Sequence, residues 1–97
     1  MGFSFDLTSW QDERSRSPDL SVIFNRVEFL CLVLGEQWPE HGSVRDKLSA
    51  IIATEEYREL KGLLCKIPGN LRPHPGSGLA LITWAHQVAG QLARHSL

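Results

Sequence analysis

Residues 18–34 read PDLSVIFNRVEFLCLVL and are followed by Gly35. At about 100° per residue, Leu20, Ile23, Phe24, Val27, Leu30, Cys31 and Leu34 fall on one broad stripe of a helix. Val22, Phe29 and Val33 fall together on the opposite side, and only Ser21, Asn25, Arg26 and Glu28 interrupt the apolar surface. Ser17 stands where an N-cap is wanted, Pro18 suits the first helical position, and Asp19 faces the positive end of the helix dipole. Gly35 is the expected residue just past the end. An ordinary surface helix has one apolar stripe. Two stripes imply packing on both sides, which makes Pro18–Leu34 the expected centre of a compact all-α bundle of four to five short helices.

The elements on either side follow from caps and breakers. Residues 1–17 predict an N-terminal arm, with Phe3 and Phe5 as plugs for the core, and a short helix Thr8–Arg16. Thr8 with Gln11 three positions on is a capping-box pattern, and only Leu7 and Trp10 can anchor this otherwise polar segment. Beyond Gly35, Trp38-Pro39 cannot continue a helix, because a residue before proline is biased to extended geometry. Ser43 with Asp46 marks the next start, and Val44, Leu48, Ile51 and Ile52 line one face. Tyr57, Leu60, Leu64 and Ile67 centre on the other side of that wheel, so a straight helix would bury opposite faces in its two halves. A break at Ala53-Thr54, with Thr54 capping a new helix Glu55–Lys66, removes the conflict. Residues 68–78, PGNLRPHPGSG, predict a loop, after which Ser77 caps a last helix from Gly78 to about His95. In that helix Leu81, Ile82, Ala85, Val88, Ala89, Leu92 and Ala93 share an arc, with Trp84 on its flank.

Length and charge narrow the function classes. Ninety-seven residues make one domain, and 42% hydrophobic with 22% charged residues is an ordinary globular composition. Ten Lys and Arg against eleven Asp and Glu leave a formal net charge of −1, which supplies no field to gather nucleic acid or anionic lipid. Cys31 and Cys65 lie at helical apolar positions without metal-type spacing and predict two buried free thiols in a reducing compartment. The N-terminus has no secretory pattern and no apolar run approaches the ~20 residues that span a bilayer, so a cytoplasmic protein away from the membrane is expected.

No catalytic or metal constellation emerges. His41, His74, His86 and His95 form no i, i+4 pair, no Cys-x-x-Cys accompanies them, and no cofactor motif is present. No Gly-x-Ser-x-Gly elbow occurs, and Gly76–Leu79 has neither the preceding strand nor the lysine of a phosphate loop. Helices 43–66 suggest a helix-turn-helix, but its reading helix would begin Thr54-Glu55-Glu56, and two carboxylates repel phosphate. Glu55 and Glu59 make a surface repulsion beside Arg58.

The remaining signal is in the connections. Trp38, His41, Arg72 and His74 put an aromatic, an arginine and two imidazoles on proline-stiffened loops, the usual material of a protein interface. Glu55, Glu56 and Glu59 add an acidic face that suits a basic partner such as a nuclease. The expectation is a non-enzymatic protein that binds another protein and occludes its working surface, as an inhibitor, immunity or antitoxin-type protein or an adaptor. A nucleic-acid-contacting regulator and a small enzyme with a site completed in a homodimer are the alternatives. The second face of the central helix sharpens the question: if Phe3, Phe5 and Trp10 leave Phe29 exposed, a partner or a second copy should cover it.

Overall fold

The structure, a computed structural model, describes residues 5–73 and 78–95, the last without its side chain. Among the described residues five helices follow one another: α1 (Leu7–Arg16), α2 (Pro18–Gln37), α3 (Val44–Ile52), α4 (Glu55–Leu64) and α5 (Gly78–His95). A single 3-10 turn, Gly69–Leu71, lies between α4 and α5. α2 is the hub, packed most extensively against α5 and α4 and also against α1, while α3 rests on α4 and α5. The all-α bundle around the segment that begins at Pro18 is therefore the observed fold.

Local chemistry explains most boundaries. Ser43 accepts the backbone N–H of Asp46 and Thr54 that of Tyr57, so α3 and α4 are separate helices broken at Ala53. Gly42 takes a φ of 110° in the turn ahead of Ser43, a conformation that favours glycine. α4 closes at Leu64, ahead of the expected Lys66. Two further boundaries differ from the sequence reading. The cap of α1 is Asp6, whose carboxylate accepts from Thr8 N and Ser9 Oγ, so Thr8 is inside the helix and its capping box is not formed. Gly35 does not end α2: it has no positive φ, and the helix runs two residues further until Trp38 turns extended ahead of Pro39. Ser17 holds the N-cap position of α2 without a side-chain hydrogen bond.

The core is one cluster. α2 contributes Phe24, Val27, Leu30, Cys31 and Leu34, and α4 contributes Tyr57, Leu60 and Leu64. α5 adds Leu81, Ile82, Trp84, Ala85 and Val88. The polar α1 contributes more than its composition suggests. Trp10 is 0% exposed and lies 4.3 Å from the Phe24 ring, with Phe5 and Trp84 edge-on to it. Burying an indole N–H demands an acceptor, and Trp10 Nε1 donates to Glu28 Oε2 at 2.8 Å. Arg14 closes the same group by pairing with Glu28, and burial pulls the Arg14 guanidinium below its ordinary pKa. Trp10 and Trp84 are thus core residues and not interface candidates. Phe5 is buried and its N–H donates to Gln87 Oε1, as expected of a plug, whereas Phe3 and the Ser77 cap lie outside the described residues.

Candidate interaction face

The second apolar face of α2 is open. Its outward arc runs Pro18, Val22, Asn25, Phe29, Leu32 and Glu36, a spacing of alternating four and three residues. Val22 is 71% exposed, Phe29 51% and Leu32 42%, and Val33 beside them is half-buried. Among the described residues no helix lies over this arc, so the expectation of packing on both sides of α2 is corrected. The reason lies in how the neighbours attach. α1 reaches α2 through Trp10 at Phe24 and Glu28, on the core side of the wheel. α4 reaches it from the other flank, where Arg26 meets Glu59. Neither helix crosses the stripe between them.

The rim on the α4 side is fixed by charge. Arg26 donates to both carboxylate oxygens of Glu59, Nε at 2.6 Å and Nη2 at 2.9 Å, a bidentate pairing. These bonds raise the Arg26 pKa and lower that of Glu59. The same guanidinium stands 5.1 Å from the centroid of the Phe29 ring, in range of a cation–π contact that orients the exposed phenyl. Further along, Gln37 Nε2 donates to Glu56 at 3.2 Å. Glu59 is therefore engaged by α2, and Arg58 is not its ion-pair partner.

Two of the loop residues singled out from the sequence, Trp38 and Arg72, are engaged by the bundle. Trp38 is half-buried against the core, edge-on to His86 with centroids 5.2 Å apart. His41 is exposed in the connection before α3. Arg72 Nη1 donates to the Leu64 carbonyl at 2.9 Å, which satisfies an orphan acceptor at the end of α4. Glu55 is exposed and Glu56 half-buried at the opposite, N-terminal end of that helix. His74 lies outside the described residues. The stripe Val22–Phe29–Leu32 is the more continuous surface, and Leu32 is the member that the sequence reading omitted. Its signal was the alternating four–three spacing, which reaches Leu32 from Phe29.

The two cysteines sit in different surroundings. Cys31 is fully buried, and loss of solvent pushes its thiol up, away from a nucleophilic thiolate. Cys65 is exposed, contrary to the expected burial: it stands one turn past the exposed Lys61, off the face that buries Tyr57, Leu60 and Leu64. Among the described residues no group of three or more His, Cys, Asp and Glu side chains is placed to hold a metal ion. Nor is any described helix long and apolar enough to cross a membrane. No protein-family model, curated protein or solved structure matches the chain.

Proposed function

We propose that this domain is a non-enzymatic binding protein whose outward α2 face docks on another protein and occludes that partner's working surface. One observation carries the reading. A helix that is central to the bundle leaves Val22, Phe29 and Leu32 exposed along one line, each by about two fifths or more. Scattered exposed apolar residues need no explanation, but an aligned row on a well-packed helix favours association. Phe29 is the natural anchor, a large ring already held in place by Arg26. Trp38 and Arg72 are occupied by the fold and serve as its lid and helix cap, leaving His41, Glu55 and Glu56 as outlying contacts.

A photo-crosslinking residue at position 29, expressed in the native host, tests this. A discrete crosslinked partner is expected there and none from the exposed Gln11 on α1. Crosslinking from position 41 with none from position 29 would move the interface back to the loops.

A further inference from the structure

The occupant of the α2 face can be narrowed by geometry and charge. Pro18, Val22, Asn25, Phe29, Leu32 and Glu36 stand at the two seam positions of a heptad repeat, the spacing that keeps one helix aligned with another. From Val22 to Glu36 the seam is about 20 Å long. Three exposed apolar side chains on one helix are few beside the roughly 800 Å² per partner of a standard interface. A surface of this size fits a single helix laid along α2.

Charge then selects among helices. Arg26, the one cation on the arc, is already taken by Glu59. Asp19 and Glu36, at the two ends of the seam, are exposed and have no ion pair among the described residues. Asp19 sits in the first turn, against the positive end of its own helix, so the charge left without a partner along the stripe is chiefly that of Glu36, in a last turn with no basic residue. A second copy does not answer it. Laid antiparallel, with Val22 against Leu32 of the copy, α2 sets Glu36 beside Asp19. Laid parallel, it sets Glu36 against Glu36. Like charges face each other in both arrangements, which opposes self-pairing.

We infer that the α2 face receives a cationic amphipathic helix, with apolar residues on Val22, Phe29 and Leu32 and Lys or Arg residues flanking toward Asp19 and Glu36. This rests on the reading that the α2 face is where a protein docks, and it adds what the docking segment looks like.

The test is a titration of the full chain with a fluorescent three-heptad peptide carrying leucine at the seam positions and lysine on the flanks. A twin with glutamate in place of lysine is the comparison. The lysine peptide should bind about tenfold or more tightly than its twin at low salt, with the gap shrinking as salt rises. Phe29→Asp should abolish that binding, while Ile52→Asp, at an exposed apolar residue of α3, leaves it within about twofold. The double variant Asp19→Lys/Glu36→Lys should reverse the preference. Equal binding of the two peptides, indifference to Phe29→Asp, or an unchanged preference in the double variant overturns the inference. So does a Phe29-dependent dimer in sedimentation, which would give the face to a second copy. The broader reading fails separately, by the absence of any crosslink from position 29. A crosslink there to a non-helical or acidic segment would keep the docking face and reject the cationic helix.

Discussion

Phe24 and Phe29 belong to the same helix, yet Phe24 is 0% exposed and Phe29 is 51% exposed. The neighbours of Phe24 are the Trp10 ring at 4.3 Å and the rest of the core cluster. Phe29 has the Arg26 guanidinium 5.1 Å from its ring centroid and about half of its surface open to solvent. The two phenyls show that residue type does not decide burial on a helix; the attachment points of neighbouring helices do. α1 and α4 each bind α2 through a charged or polar contact at the border of the outer arc, Glu28 on one side and Arg26 on the other. Those two contacts hold the flanking helices off the stripe. The inner face is buried in the core, and the outer face is exposed.

The largest effect that would break this comparison comes from Trp10. Trp10→Ala empties the centre of the aromatic cluster and should cost about 3–5 kcal/mol in urea denaturation. Phe29→Ala should stay within about 0.5 kcal/mol, as a surface change does. Similar losses at both positions would mean that the outer face is structural. Next in size is Glu28→Ala, which leaves Trp10 Nε1 without its acceptor and Arg14 without its counter-ion. A loss of about 1–3 kcal/mol is expected from these unpaired groups. Glu28→Gln retains an acceptor for the indole and should lose less.

These contrasts also show where sequence reasoning reaches its limit. The stops at Ala53 and the caps Ser43 and Thr54 were legible because each is settled by residues within one turn. The inner stripe of α2 was legible because its period is local. Asp6 was missed because Thr8 offered a competing cap nearby, and only the path of the chain into α1 selects between them. Gly35 misled because glycine is tolerated within a helix, while the true stop was Pro39. A methyl at Gly35 would come no nearer to Ala89 Cβ than 3.9 Å, so packing does not require the glycine either. The burial of Trp10 among polar neighbours, the Arg72 bond to Leu64 and the open outer face all depend on which helices meet. Those are tertiary facts, and periodicity carries none of them.

A chemical probe separates inside from outside without mutation. Cys31 is sealed on the inner face and its thiol is pushed up by burial, whereas Cys65 is exposed. A thiol reagent should modify one site in the native protein and two in denaturant, with Cys65 identified by peptide mapping. Rapid native labelling of Cys31 would show that the inner face opens readily.

The smallest effect concerns the rim of the outer face. Glu59 is held below the usual carboxylate range by its hydrogen bonds from Arg26. Its folded pKa is depressed, so the pairing stabilises the fold above the unfolded value, about 4.3 for glutamate. That contribution is lost as the pH falls through the lower folded value. The stability curves of the wild type and Glu59→Gln should therefore run parallel near neutral pH and converge in acid. High salt should narrow the gap, because both partners are solvent-exposed. Removing Glu59 also frees Arg26, which adds a positive charge to the outer stripe. If that stripe receives a cationic helix, Glu59→Gln should weaken peptide binding more visibly than it alters stability. A stability loss as large as that of Glu28→Ala would instead make the Arg26–Glu59 pair part of the structural core of the bundle.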